Sequence, residues 1–357
     1  MALSHRENYL RTATFSRHSP PPDHIPIRVS VSGASWDQLR TDLEDVLARH
    51  PVLFPDFEKG THDYARRDFG PASNAGDRTT DAWGCTWHAA VDGIRGQVVG
   101  HPLDDWAKLG TWQPPDAMET TTWRAVDWEE RRRRTVEARA RGALTSGGLD
   151  HGFLFLRLTY LRGFENLMLD LATADPRLPT LIELVNRHNR TLVDQWLAIG
   201  IDVLNLGEDL GTQTASVVGP RHFDRYLAPA YRQLTEPARA AGCQVAFHTD
   251  GYIMDIADPL LACGITILNP QDLCNGIDAL ARELKGRVCI NLDIDRQSIV
   301  PFGTAGDIHD LIEHEVRTLG SPQGGLMMIC GIYPPTPAEN IDALLTALER
   351  YRTYWWD

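Results

Sequence analysis

The chain of 357 residues lacks the features that mark secreted, disulfide-stabilised and membrane proteins. Its six cysteines are spread along the sequence, and no two of them form a Cys-x-x-Cys pair. No apolar run approaches the roughly 20 residues that span a bilayer, and the N-terminus has no apolar core of signal-peptide length. We therefore expect a cytoplasmic protein whose thiols are free and buried.

An excess of positive charge is also absent. The sequence has 48 acidic against 35 basic residues and a net charge of −13, and only three of the basic residues are lysines. A nucleic-acid surface usually shows as a basic patch or stripe, so this balance argues against nucleic acid as a partner. The apolar fraction, by contrast, is 43%, which is enough to build a sizeable core.

From residue 151 onward, strand-like apolar segments alternate with amphipathic helical segments. This alternation predicts βαβ units and a parallel sheet. Six such strands, an earlier one at 25–32 and one hidden within 51–150 would make eight. We therefore predict an α/β fold, a single (β/α)8 TIM barrel domain over residues 1–357. No glycine-rich fingerprint follows any strand, which disfavours a doubly wound dinucleotide-binding sheet. The six predicted strands are 153–158, 203–207, 245–250, 265–269, 288–293 and 326–330.

Residues 51–150 lack the regular alternation of strands and helices. They are rich in turn-forming residues, and we predict an irregular insertion or lid in this part of the chain. The charged stretch 129–134 is predicted to be a solvated helix face, because glutamates precede its arginines. The aromatic cluster of this insertion comprises Trp83, Trp87, Trp106 and Trp112.

The most informative residues stand where two predicted strands end. His248 and Asp250 follow the apolar run 245–247, and Cys330 ends the run 326–329. Ligands bind at the C-terminal ends of strands in parallel α/β folds, and residues two apart on a strand face the same side. We therefore predict that an imidazole, a carboxylate and a thiol converge on one pocket. Polar residues at the other predicted strand ends are Arg157, Glu208, Asp209, Asn269, Gln271, Asp272, Asp293 and Asp295.

One chemistry that these residues support is metal catalysis. His248 and Cys330 are the best pair of zinc ligands, and either Glu208 or Asp250 would be the third. A fourth, open position would hold a thiol, an alkoxide or water and lower its pKa. The structural alternative is that His248 and Cys330 only pack within the barrel.

The other chemistry is acid–base catalysis without a metal. Asp250, Asp293 and Glu208 would move protons or stabilise charge on a substrate. Arg157 would pair with a substrate carboxylate. The structural alternative for Asp293 and Asp295 is helix capping or a salt bridge. That alternative is preferred for Asp295, because an arginine follows it and a helix starts nearby.

Taken in order, the motifs of this chain resemble the uroporphyrinogen decarboxylase superfamily, in particular its branch of decarboxylase-like proteins and corrinoid-linked methyltransferases. The resemblance lies in the order and spacing of short motifs and covers most of the chain. It implies a (β/α)8 barrel and suggests a homodimer. The motifs lie at residues 81–84, 101–103, 114–116, 207–213, 220, 226–229, 247–251, 264–265, 269–271, 291–293, 303–304, 324–325 and 337–341.

The resemblance also implies a metal site. In the methyltransferase branch, a His-x-Cys pair and a distant cysteine hold zinc, which activates a thiol acceptor. His248 and Cys330 match the histidine and the distant cysteine by position. Asp250 replaces the first cysteine, and an oxygen ligand makes the metal better suited to an oxygen-bearing substrate. Glu208 resembles an acidic residue that completes the ligand set in methoxyl-cleaving relatives.

Porphyrin decarboxylation is not expected. The true decarboxylase carries an arginine-rich motif near its N-terminus, whereas residues 6–17 hold three arginines without that motif. We therefore predict a zinc-dependent, methyltransferase-like enzyme that moves the methyl group of a small substrate to or from a corrinoid on a separate protein. The alternatives are a metal-free decarboxylase or lyase of a carboxylated molecule, and a ligand-binding barrel without turnover. The predicted substrate-binding residues are Trp83, Asp209, Gln213, Asn269 and Gln271.

Overall fold

The computed structural model describes residues 3–15, 20–65 and 68–356. Arg17, in the arginine-containing stretch considered above, lies outside these ranges. The described residues form strands β1 (Ile27–Val31), β2 (Arg78–Thr80), β3 (Thr86–His88), β4 (Gln97–Gly100), β5 (Ser146–Gly148), β6 (Val203–Glu208), β7 (Gln244–Thr249), β8 (Ile267–Pro270), β9 (Cys289–Asp293) and β10 (Leu326–Ile332).

The helices vary in length from single turns to 22 residues. A π-helical segment lies at Phe223–Leu227, and 3₁₀ turns lie at Trp106–Gly110 and Met254–Ile256. The α-helices are α1 (His5–Ala13), α2 (Gly33–Leu39), α3 (Thr41–Ala48), α4 (Trp128–Ala140), α5 (Phe155–Arg162), α6 (Phe164–Thr173), α7 (Leu178–Ile199), α8 (Pro220–His222), α9 (Ala228–Ala240), α10 (Ala257–Leu261), α11 (Ile277–Leu284), α12 (Ile299–Phe302), α13 (Ala305–Leu319) and α14 (Ala338–Tyr351). None of the helices in the described part of the chain combines the length and the apolar character that a bilayer crossing needs.

The chain divides into two compact units. The first comprises the described residues within 1–75, 90–95 and 270–357. Its strands run parallel in the order β1-β10-β9. In this register Val29 lies opposite Cys330, and Ile329 lies opposite Asp293. The start of β10 is buried on both faces, as expected for a parallel strand that helices cover on each side.

The second unit comprises residues 76–89 and 96–269. Its parallel strands run in the order β5-β6-β7-β8, and the last residue of β8, Pro270, belongs to the first unit. Gly207 lies opposite His248 in the β6–β7 register. Strands β2, β3 and β4 form a separate antiparallel sheet. The segment predicted to be irregular therefore holds a small sheet of its own.

The fold is α/β with a parallel seven-stranded sheet. Five of the six strands predicted after residue 151 are confirmed, as are the strand near 25–32 and the one hidden within 51–150. The predicted strand 153–158 is wrong, because the chain enters helix α5 at Phe155. Almost every position of this segment is apolar, and periodicity cannot tell a short buried strand from a buried helix. A closed barrel of eight strands is therefore not shown by the described residues.

Local sequence signals explain why several helices form where they do. In α13, Thr304 and Asp307 form a capping box that satisfies two backbone amides at the helix start. Helix α4 has no buried residue. Arg133 of α4 pairs with Glu130 and Glu137 one turn away on either side. Such pairs stabilise a solvated helix by a few tenths of a kcal/mol each, which agrees with the predicted solvated face.

Candidate metal centre

His248 is the next-to-last residue of strand β7 in the second unit. Buried and partly exposed residues alternate along the strand, with Phe247 on the buried side and His248 on the other. Asp250 follows the strand, and its Oδ1 lies 3.4 Å from Nε2 of His248. The prediction that these two side chains share one side of the strand is confirmed. Both are partly open to solvent, with exposed fractions of 27% and 39%.

Asn269, which lies near the end of β8, orients the ring of His248. Its Oδ1 is 2.8 Å from Nδ1 of His248. Because an amide oxygen only accepts hydrogen bonds, Nδ1 is the donor in this contact, and Nε2 is the ring nitrogen that points away from Asn269. A metal-binding histidine is commonly fixed through its other nitrogen in this way. Asn269, predicted to bind substrate, therefore orients the ring of His248.

His151 is a site residue that the sequence prediction missed. It follows the short strand β5, and its ring centroid lies 5.6 Å from that of His248. Its Nε2 is 3.1 Å from Oδ1 of Asp209. One ligating atom from each of His151, Asp209 and His248 lies within 4.8 Å of the other two. Two imidazoles and a carboxylate at this spacing match the donors that a catalytic zinc ion uses.

Gly207 makes room for the ring of His151. A Cβ atom at position 207 would lie 2.9 Å from Cδ2 of His151, which is closer than carbon atoms normally approach. The carbonyl of Gly207 also accepts a hydrogen bond from the amide of Gly152, the residue after His151. Strand β6 therefore sets both the backbone and the ring position of His151.

Glu208 has a different environment from the one expected of a metal ligand. It is fully buried, and its two oxygens accept hydrogen bonds from the amides of Leu154, Phe155 and Leu156 at the start of α5. Burial raises the pKa of Glu208 to about 7, although these three amides favour the charged form. Glu208 is absent from the groups of converging ligand atoms that the described residues form.

Arg157 is not at a strand end, and this prediction is corrected by the position of α5. Its guanidinium is buried, with Asp81 at 3.3 Å and the hydroxyl of Thr122 at 2.9 Å. It also lies 4.5 Å from the ring centre of Trp83. Trp83, predicted to bind substrate, is itself only 4% exposed. Both side chains therefore belong to a packed cluster in the second unit.

The remaining predicted site residues are divided between the units. Gln213 lies in an exposed loop of the second unit. In the first unit, the backbones of Gln271 and Asp293 form an isolated parallel β-bridge. Asp293 is buried and pairs with Arg296 at 3.0 Å. Asp295 accepts hydrogen bonds from the amides of Gln297, Ser298 and Val300, before and at the start of α12, which agrees with the structural role preferred for it.

Cys330 is on β10 in the first unit and is 2% exposed. Burial, with Asp293 and Glu315 nearby, raises the pKa of its thiol above the usual range. It belongs to none of the groups of three converging ligand atoms among the described residues. The structure therefore gathers ligands around His248 from β5 and β6.

No curated protein matches the chain. A methyltransferase from Methanosarcina mazei has a similar structure, with a TM-score of 0.59 at 14% identity, covering 97% of this chain and 98% of that one. A B12-independent methionine synthase from Shewanella sp. W3-18-1 matches at a TM-score of 0.41 and 12% identity, over 64% of this chain and 67% of that one. At 14% identity the likeness to the methyltransferase shows the fold alone.

The family is shown by a sequence profile. The profile described as uroporphyrinogen decarboxylase (URO-D) matches residues 154–351. The matched range is more than half of the chain and contains β6 to β10, and thus His248, Asp209 and Cys330. The resemblance drawn from the order of the sequence motifs is confirmed. This chain belongs to the uroporphyrinogen decarboxylase (URO-D) family.

Proposed function

We propose that this protein is a metal-dependent, methyltransferase-like enzyme that acts on a small methylated substrate. The observation that carries the proposal is the environment of His248, whose Nδ1 contacts Asn269 and which lies among other ligating side chains at a strand end. The fold likeness to a methyltransferase and the family match support the same class. They also support a closed (β/α)8 barrel as the full architecture.

His248 is the residue that would hold the metal, and zinc fits its donor type. A bound zinc ion would supply a Lewis acid that polarises a substrate oxygen or sulfur. The residues of the chain then have separate tasks. Asn269 orients the imidazole through Nδ1, and Asp250, 3.4 Å from Nε2, is placed to accept a proton. The sequence also predicted Cys330 and Glu208 as ligands, but the oxygens of Glu208 accept the amides at the start of α5.

The methyl group would move to or from a corrinoid on a separate protein. This part of the proposal rests on the resemblance to the corrinoid-linked branch. The competing decarboxylase or lyase used Arg157 to bind a substrate carboxylate. Because Arg157 is buried against Asp81, the structure gives that alternative no support at this residue.

Two measurements on one preparation test the proposal. Elemental analysis of protein purified without a metal-affinity tag should find about one zinc per chain, and His248→Ala should lose it without unfolding. Free methylcobalamin, used in place of the partner's corrinoid, should be demethylated faster by wild type than by His248→Ala in the presence of a small thiol or phenol. Protein without metal, or equal rates for the two proteins, would contradict the proposal.

A further inference from the structure

The second unit brings two more ligating side chains to His248. His151 and Asp209 come from the ends of β5 and β6, and with His248 they place three ligating atoms within 4.8 Å of one another. We propose that His151, Asp209 and His248 together bind one divalent metal ion, so that the centre has nitrogen and oxygen donors and no thiolate. This inference rests on the proposed function, because it assigns ligands to the metal of that same site.

The first support is an orphaned oxygen on Asp209. Its Oδ1 is buried, and no N–H or O–H group of the described residues makes a well-formed hydrogen bond to it. Nε2 of His151 nevertheless lies 3.1 Å away. Burying a carboxylate oxygen is costly unless a hydrogen bond or a cation satisfies it. A cation between the carboxylate and the imidazole would satisfy both atoms, since both are metal ligands.

The second support is that both histidine ligands are held from behind. Asn269 binds Nδ1 of His248. The loop that carries His151 is tied down by Glu208, which accepts the amides of Leu154 and Phe155. The missing Cβ at Gly207 lets the His151 ring approach. Such outer contacts orient ligands and raise metal affinity.

The third support is that the spacing and the access suit a bound ion. Zinc bonds of about 2.0–2.2 Å place two ligand atoms at most about 4.4 Å apart, and Nε2 of His151 and Oδ1 of Asp209 are 3.1 Å apart. The side chains of His151, Asp209 and His248 are 48%, 36% and 27% exposed. An ion and a substrate can therefore reach the centre from solvent.

The donor set also specifies the class of substrate. Two imidazoles and a carboxylate make a harder Lewis acid than a centre with thiolates. A further carboxylate, Asp250, lies beside Nε2 of His248 and adds negative charge without adding sulfur. We therefore expect the centre to activate an oxygen-bearing group, such as an alcohol, a phenol or a methyl ether, in preference to a thiol.

Cobalt(II) titration of metal-free protein tests this assignment, because the ion reports its ligands through its absorbance. The full chain is compared with His151→Ala, Asp209→Asn and Cys330→Ser. The matched control is His309→Ala. His309 lies on α13 and forms a separate group of ligating side chains with Asp310 and Glu313. Stoichiometry and affinity come from calorimetry, and circular dichroism checks that each variant is folded.

We expect one cobalt ion per chain and no thiolate-to-cobalt charge-transfer band in the near ultraviolet. His151→Ala and Asp209→Asn should each weaken binding by about 100-fold or more, since loss of an outer partner alone costs about 10- to 100-fold. Cys330→Ser and His309→Ala should bind as wild type does. Asn269→Ala should fall between these groups.

Other outcomes separate the inference from the proposed function. A thiolate band that disappears in Cys330→Ser would overturn the nitrogen-and-oxygen centre while leaving a metal-dependent enzyme in place. Unchanged affinity in folded His151→Ala and Asp209→Asn would do the same. Wild-type protein that binds no cobalt, zinc or other divalent ion would overturn both.

Discussion

The buried carboxyl group of Glu315 on α13 has a charge state that a stability measurement can read. Glu315 is fully buried, and neither of its oxygens receives a hydrogen bond from an N–H or O–H group of the described residues. Its partner is the carboxyl group of Asp272, which accepts the amides of Leu273 and Asp295. Burial, together with the charge of Asp272, raises the pKa of Glu315 well above 4.5. Glu315 is therefore protonated and donates to Asp272.

This proton makes stability depend on pH in a defined direction. The unfolded chain releases it near pH 4.5, whereas the native protein keeps it to a higher pH. Between the two pKa values the native state binds one more proton, so the free energy of unfolding falls as pH rises. The slope is about 1.4 kcal/mol per pH unit for one proton. Glu315→Gln removes the titrating group and keeps a donor for Asp272.

Urea unfolding at a series of pH values from 5 to 8 measures the effect. Because groups away from this pair titrate alike in both proteins, the difference between Glu315→Gln and wild type reports the coupled pair Glu315 and Asp272. We expect that difference to move in favour of the variant by about 1.4 kcal/mol per pH unit up to the native pKa of Glu315. Asp310→Asn, an 82% exposed carboxylate on the same helix, should show no such trend. Parallel profiles for Glu315→Gln and wild type would refute the protonated state.

Three further predictions concern the second unit. Arg157→Leu leaves Asp81 buried without its cation and should lower the free energy of unfolding by about 3 kcal/mol, with part of the loss restored by adding Asp81→Asn; equal stability would return Arg157 to the substrate-binding candidates. Gly207→Ala should displace the ring of His151 and weaken cobalt binding by about 10-fold or more, as measured by competition with a chelating dye; an unchanged affinity would show that the ring needs no such room. Glu208→Gln turns an amide N–H toward a backbone N–H and should cost about 1–3 kcal/mol in urea unfolding; no loss would argue against the cap on α5.

The sequence predicted those parts of the fold that depend on strong local patterns. The strands β6, β7, β9 and β10 are short apolar runs followed by polar residues. Period-2 geometry was enough to place His248 and Asp250 on the same side. The structural role of Asp295 was also predictable, because an acidic residue shortly before a helix commonly accepts backbone amides there.

The parts that the sequence did not predict depend on contacts between distant segments. Strand β5 is Ser146–Gly148, which has no apolar signature, so nothing local marked His151 as a residue at a strand end. The segment 153–158 became a helix at Phe155, whose amide is bound by Glu208 more than fifty residues later in the chain. The residues of the buried ion pair between Arg157 and Asp81 are 76 positions apart in the sequence. The periodicity of apolar residues within a segment carries no information about these distant partners.

Glu208 and Asp209 show why a pair of acidic residues at a strand end is ambiguous in sequence. Successive side chains of an extended chain point to opposite sides. Glu208 therefore turns inward to the amides of α5, while Asp209 turns toward His151. The inward residue fixes the loop that carries His151, and the outward residue meets its ring. The geometry of the candidate centre thus depends on Glu208, a carboxylate that the proposed ligand set does not include. The sequence alone predicts Glu208 as a ligand, whereas in the structure it supports the loop that carries His151.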